Sequence, residues 1–411
     1  MLMHWMNDMG KPKTVSNVGL FCEVFPPVMD GVSVCMSNYA NWLQKKVGGV
    51  TVVTPSVPGA DYGAHDFKVL DYLSFPVPTR RPYVTGLSRI DPVLHARIAK
   101  NQFRIIHAHT PFSAGNAALH TARKQGVPLV ATFHSKYRDD FEKVFPKPIV
   151  NMLIASVVKF FEGADLVWTP LESAVEVLRE YGYKGPVEVM PNGCDFVADY
   201  PENFRAGARQ RLGVAPETFM LLFVGQHIWQ KNPQLTIEAL SRLEDVPFHM
   251  YFVGTGHAAE GMKAMVSEKG LYDKVTFVGP VAQREKIVDY YAAADLFAFP
   301  SLYDTAGLVV QEAAALGTPS ILAREATAAT AITEGKNGFL TDNDPDKMAQ
   351  LIRELAHDPE RVRRVGMQAS RTLVRSWEDC VGEVIDRYNA LLKHRGMAPL
   401  ERIDSYDNTA L

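Results

Sequence analysis

Cysteine is scarce in this chain, with four in 411 residues. Cys22, Cys35, Cys194 and Cys380 are scattered and form no CxxC pair. That spacing excludes a disulfide framework, and a reducing, cytoplasmic compartment is expected. A basic excess is also missing. Lys and Arg total 43 against 46 Asp and Glu, for a net charge of −3. No global positive field is present to attract a nucleic acid, so no nucleic-acid partner is expected. Long apolar runs are lacking too. The longest, Ile149–Phe161, is interrupted by Asn151, Ser156 and Lys159, and it falls short of the roughly 20 residues that a spanning helix needs. The opening MLMHWMNDMGKPKTVSN has neither an apolar core nor a small-residue cleavage site, so no secretory leader is expected. Internal repeats and low-complexity segments are likewise absent.

What the chain does have is 47% hydrophobic residues, enough at this length for two sizeable cores. Short apolar runs alternate with helical patterns throughout. Asn17–Glu23, Val50–Thr54, Phe103–His109, Pro128–Phe133 and Leu166–Thr169 read as buried strands, and Val32–Lys45, Asp91–Lys100, Val150–Phe161 and Glu172–Tyr181 as helices. Pro55–Pro82 reads as an irregular, proline-rich region. The composition turns polar over Ala198–Pro216, which places a domain boundary near Asn203. A second series then begins with a strand at Phe219–Val224, a loop at Gly225–Lys231 and a helix at Pro233–Leu243. The expected class is α/β with parallel sheets: residues 1–203 form one Rossmann-like domain, residues 204–375 a second, and residues 395–411 a polar, loose tail.

Several short segments carry chemistry. In DLFAFPSLYDTAGLVVQEAAALGTP, from Asp295 to Pro319, a buried strand runs into a loop and then a helix stopped by Gly317 and Pro319. A strand-end loop feeding a helix N-terminus is a ready anion site, because the first N–H groups lack partners. Asp304 and Glu312 flank it, and paired carboxylates suit a ligand that has hydroxyls as well as phosphates. Each acid alone reads more simply as a helix cap or a solvated residue. Gly225–Asn232 reads GQHIWQKN, HAHTPF runs from His107 to Phe112, and Pro191–Asp195 reads PNGCD. His107 and His109 share a strand face and would make half a metal site, but no third ligand shows a useful spacing. His107 therefore reads as a satisfied core histidine. Gly254-Thr255-Gly256 is half a dinucleotide fingerprint, and Asp30-Gly31 a turn with a single glycine.

Together and in this order, these segments resemble the retaining glycosyltransferases of family 4, from about Asn17 to Leu392. Asp304 and Glu312 match that family's Glu-x7-Glu motif, with Asp in place of the first Glu. The resemblance implies a GT-B fold: two Rossmann-like domains facing across a cleft, with a C-terminal helix, residues 376–394, crossing back to the first. It implies that Asp304 and His109 hold the donor sugar and that Glu312 holds the nucleotide ribose. Lys231 and the backbone at Gly307 and Leu308 would face the diphosphate, and Gly225, Gln226, Asp30 and Gly31 would lie near it. Gln226 stands where the family has arginine. No metal-ligand set accompanies these motifs, so the protein's own charges are expected to stabilise the leaving diphosphate, with no cofactor beyond the nucleotide-diphosphate sugar (a UDP- or GDP-sugar) used as substrate.

The implied reaction is hexosyl transfer to an acceptor bound by the N-terminal domain. The DGVS turn and the HTPF and TFHS segments look most like the glycolipid-forming members. Arg80-Arg81 with Tyr83, and the stripe Val150–Phe161 behind several lysines, are what an anionic bilayer would attract. A membrane lipid acceptor and a peripheral, cytoplasmic-face location are therefore expected. A soluble sugar or polysaccharide acceptor, a sugar-nucleotide epimerase of the same fold and a non-catalytic partner subunit stay open.

Overall fold

The computed structural model describes residues 14–77, 83–196, 200–201, 203–281, 283–302 and 307–403. The chain divides into two compact units, Met1–Asn192 with Trp377–Leu411, and Gly193–Ser376. The division falls at Asn192, ahead of the boundary expected near Asn203.

The first unit is built on a sheet of parallel strands. These are β1 (Thr14–Phe21), β2 (Val50–Pro55), β3 (Lys68–Tyr72), β6 (Asn101–Ala108), β7 (Leu129–Thr132), β8 (Leu166–Thr169) and β9 (Glu188–Val189), in the order β3-β2-β1-β6-β7-β8-β9. A separate antiparallel pair joins β4 (Ser74–Pro76), inside the region expected to be irregular, to β5 (Val84–Gly86), just past it. That region also supplies β3, where only Leu70 and Tyr72 turn inward. A half-buried edge strand amid proline and glycine gives too few apolar positions to read. The helix Ser113–Gln125 was hidden for another reason, because its buried face is Ala114, Gly115, Ala118, Thr121 and Ala122, small residues without a hydrophobic rhythm.

The last helix, Trp377–His394, belongs to this unit. Its Trp377 ring lies 5.8 Å from Tyr39, and Tyr388 stacks on Trp168 at 5.7 Å. Of the tail expected to be loose, residues 404–411 lie outside the described residues, and the described part around Leu400 and Ile403 is docked. Leu400 is 2% exposed, it exchanges two hydrogen bonds with Asn389, and Ile403 N–H donates to Lys46 O at 2.7 Å.

The second unit repeats the plan with β10 (Phe219–Val224), β11 (Phe248–Val253), β12 (Val275–Gly279), β13 (Leu296–Ala298), β14 (Ser320–Ala323) and β15 (Phe339–Thr341). All pairs are parallel, in the order β12-β11-β10-β13-β14-β15. Part of the polar stretch expected as linker is a helix, Phe204–Leu212. Only Ala208 of it is buried, so charge anchors it instead: Arg205 and Arg209 donate to the Asp295 carboxylate at 2.6 and 3.0 Å. Among the described residues, no helix is long and apolar enough to cross a membrane.

Strand order reverses between β1 and β6 in one sheet and between β10 and β13 in the other. Successive crossovers there leave on opposite faces, which opens a crevice at the carboxyl ends of the strands. The expected site residues that are among the described ones fall at those two places.

Candidate active site

In the second unit, the loop after β10 carries Gly225, Gln226, His227 and Lys231. Neighbouring backbone shapes it. A Cβ at Gly254 would sit 2.0 Å from Gly225 O, and one at Gly256 would sit 2.3 Å from His227 O. Gly225 N–H donates to Val253 O, and His227 N–H to Thr255 O. The Gly254-Thr255-Gly256 run is thus required by close packing of two strand-end loops. Lys231 is 9% exposed, which excludes the ordinary solvated lysine. Its Nζ lies 5.0 Å from the Phe299 ring centroid, just past the end of β13, and a Cβ at Gly225 would be 3.2 Å from it. One cation is therefore held at the reversal between β10 and β13. Gln226 is half-buried in the same loop. Burial pushes His227 down to about 4, so it adds no charge near neutral pH.

Beyond β13, Asp304 lies outside the described residues, with Tyr303, Thr305 and Ala306. Gly307, at φ 59, turns the chain into the helix Leu308–Ala315, and its carbonyl accepts from Val310 and Gln311 N–H. The N–H of Leu308, as the first helical residue, has no acceptor within the helix. Glu312, one turn further on, is 6% exposed, which excludes the solvated reading for it as well. Its Oε1 accepts from Arg284 at 2.6 Å and its Oε2 from the Tyr291 hydroxyl at 2.8 Å. Arg284 also donates to Asp195 at 2.9 Å. Burial works against the Arg284 charge, but Glu312 and then Asp195 outweigh it and hold the guanidinium pKa above its ordinary value.

In the first unit, His109 follows β6 and is fully buried. Its Nδ1 shares a 3.0 Å hydrogen bond with His134 Nε2, and its own Nε2 has no partner. Burial pushes His134 down to about 4 and holds His109 well below the ordinary imidazole range. Both are neutral at physiological pH. His107 is satisfied as expected, by the Tyr388 hydroxyl at 2.6 Å and Thr132 Oγ1 at 2.7 Å. Asp30 is a cap: its Oδ1 accepts from Ser33 N–H at 2.8 Å and its Oδ2 from Tyr83 OH at 3.0 Å. Gly31 opens the helix Gly31–Val47 behind it.

Sequence spacing gave no third metal ligand, and the fold brings one in from elsewhere. Cys35, His109 and His134 place their ligand atoms within 4.8 Å of one another. That is close to the separation of ligands around one zinc, about 4.4 Å at most. The Cys35 thiol donates instead to Asn192 Oδ1 at 3.2 Å. The sequence reading passed over two overlapping Asp-x-Asp patterns, Asp342-Asn343-Asp344-Pro345-Asp346. Their acids are engaged, with Asp344 capping the helix Pro345–Ala356, Asp342 paired with Arg324 and Lys347, and Asp346 paired with Arg242.

The sequence reading also missed Arg284, Tyr291 and Glu23. Glu23, at the end of β1, accepts from the N–H groups of Gly86 and Ala114, and burial pushes it up to about 7. Only the position of His134, at the end of β7, could have marked it as a site residue. Arg80 and Arg81 lie outside the described residues. The stripe Val150, Ile154, Val157, Val158 and Phe161 is buried core, not the bilayer-facing surface expected of it.

Comparison with known proteins agrees with this geometry. Residues 29–197 match the family profile "Glycosyltransferase Family 4", and residues 205–372 match "Glycosyl transferases group 1". A D-inositol 3-phosphate glycosyltransferase of Streptomyces avermitilis is 30% identical over 71% of this chain and 67% of its own. One of Thermomonospora curvata is 31% identical over 72% and 74%. Among solved structures, Anabaena HepE in complex with UDP and glucose superposes at TM-score 0.74 and 18% identity, over 90% of this chain and 99% of its own. Sucrose-phosphate synthase of Thermosynechococcus elongatus reaches 0.79 at 21% identity, over 92% and 100%. These two likenesses are to GT-B proteins and speak to the fold alone. The sequence relatives and the matched profiles go further, and by them this chain belongs to glycosyltransferase family 4.

Proposed function

We propose that the chain moves a hexosyl group from a nucleoside-diphosphate sugar to an acceptor hydroxyl, with retention and without a metal or other cofactor. The observation that carries this is the buried Lys231, 5.0 Å from the Phe299 ring just past β13, together with the buried carboxylate of Glu312 on the helix that follows, at the strand reversal of the second unit. A fixed cation and helix-terminal N–H groups stabilise charge as it develops on a leaving diphosphate, and being preorganised they need not reorient during the reaction. Glu312 is read as the ribose acid, Asp304 as the acid holding the sugar hydroxyls, and His109 as a neutral imidazole against the sugar. Complexes of HepE with UDP and with UDP-glucose support a uridine nucleotide.

For the acceptor, the names of the relatives support a soluble phosphorylated polyol. A second reading, a membrane lipid glycosylated at the cytoplasmic face, is favoured by one surface. Val144, Phe145, Ile149 and Met152 are exposed large apolar residues, and Lys143 and Lys147 lie among them. Cations amid exposed apolar groups attract anionic bilayers, at about 1 kcal/mol per Lys or Arg. Incubation of the protein with UDP- and GDP-sugars and a panel of inositol phosphates, sugars and lipid vesicles, with products read by mass, tests the whole reading. Transfer to any of these hydroxyls supports it, and donor isomerisation without transfer overturns it. Sedimentation with anionic vesicles at low salt and release at high salt supports the lipid acceptor. A protein that stays in solution and glycosylates only soluble polyols overturns that choice.

A further inference from the structure

Arg284 opens the helix Arg284–Ala293 and reaches three partners. It donates to Glu312 Oε1 at 2.6 Å and to Asp195 Oδ2 at 2.9 Å, and its guanidinium lies 4.6 Å from the Phe196 ring centroid. From the same helix, the fully buried Tyr291 donates to the other Glu312 oxygen at 2.8 Å. Each oxygen of Glu312 thus accepts one bond from a fixed donor. A carboxylate offers about four lone-pair sites, so each of its two neighbouring oxygens can accept a further bond. That geometry suits a vicinal diol. Without the guanidinium, the buried carboxylate would lose its compensating charge, at a cost it can avoid only by protonating or moving. Arg284 is fixed in turn by the segment that starts the second unit. There, next to Asp195, Cys194 N–H donates to Arg375 O at 2.8 Å, and Cys194 bridges to Ser376.

We propose that Arg284 is a positioning residue for the nucleotide: with Tyr291 it orients the Glu312 carboxylate to receive both hydroxyls of the donor ribose. This rests on reading Glu312 as the ribose acid. Arg284 itself acts only through Glu312.

The test is calorimetric titration of the whole protein with UDP and GDP, and with the 2′-deoxy form of whichever binds, for wild type, Glu312→Gln, Arg284→Lys and Arg284→Met. A vicinal diol held by an oriented carboxylate predicts at least tenfold preference of wild type for the ribonucleotide. Arg284→Met should bring that preference to about twofold or less, while its affinity for the 2′-deoxy nucleotide stays within threefold of wild type. Arg284→Lys, which keeps a cation, should restore part of the preference. A merely structural arginine would instead lower the melting temperature and weaken both nucleotides alike. If Glu312→Gln keeps the full preference, the ribose reading of Glu312 is wrong and the inference falls with it. If Glu312→Gln loses the preference but Arg284→Met keeps it undiminished, Glu312 stands and Arg284 is not its positioning residue.

Discussion

The two units share a parallel-sheet plan with a strand reversal, and they furnish that reversal in opposite ways. At the end of β6 the first unit places neutral imidazoles, His109 and His134, among aromatic rings, with Tyr39 5.0 Å from His109. Beyond β10 and β13 the second unit places formal charge: Lys231, Glu312, Arg284 and Asp195. The imidazoles after β6 are neutral and can hold sugar hydroxyls without attracting an ion, while Glu23 at the end of β1 is a single buried carboxyl pushed up to about 7. Charges at the second can hold a diphosphate and fix its ribose. Under the proposed function, the imidazoles of the first unit would contact the sugar and the charges of the second would stabilise the leaving group.

Breaking the charged side should cost most. Lys231→Ala is expected to lower kcat/KM by 10²- to 10³-fold, about 3–4 kcal/mol, and to weaken UDP binding. A folded Lys231→Ala protein with near-normal turnover would separate the lysine from the diphosphate. Asp304→Ala should cut kcat on a similar scale while sparing UDP affinity, since its proposed contact is to the sugar. Breaking the neutral side should cost less. His109→Ala is expected to lower kcat ten- to hundredfold, on the order of 1.4–2.7 kcal/mol, with UDP affinity within twofold.

A change of packing alone sharpens the contrast further. Gly254→Ala puts a Cβ 2.0 Å from Gly225 O, which should cost about 1–3 kcal/mol of stability and displace the Lys231 loop. Its melting temperature and its UDP affinity should therefore fall together.

Acid should distinguish the histidines of the first unit. His134 titrates at about 4 in the folded protein, against 6.5 for an imidazole free in water. The unfolded chain therefore takes up the proton first. The stability this gives is complete above about pH 6.5 and is lost as pH falls towards 4, with a ceiling of about 3 kcal/mol. His134→Gln should flatten the drop in melting temperature between pH 7 and pH 5, and an unchanged drop would exclude it as a source. The smallest expected effect is that of a chelator. EDTA should leave transfer within twofold of its untreated rate. A loss restored by zinc would show that Cys35, His109 and His134 close on an ion during the reaction.

Much of this was legible in the sequence, because buried parallel strands are short and rich in branched residues. β10, with every residue buried, reads from its composition alone. Edge strand β3 and the small-residue helix Ser113–Gln125 did not read, since burial on one side by small or sparse groups leaves no period. The helix Phe204–Leu212 was missed because ion pairs to Asp295 hold it instead of an apolar stripe. At the site, motif order placed His109 just past β6, Lys231 in the loop after β10 and Glu312 in the helix after β13, where the structure has them. Arg284, Tyr291, Cys35 and His134 reach their partners through tertiary contacts between elements distant in sequence, and local spacing carries no trace of such meetings.

The central claim is that the second unit holds the donor diphosphate by its charges while the first contributes neutral contacts. Calorimetric titration of UDP into wild type, Lys231→Ala and His109→Ala tests it most directly. The account predicts that Lys231→Ala loses at least tenfold in affinity while His109→Ala binds as wild type does. Equal losses in the two variants, or a loss in His109→Ala alone, would contradict it.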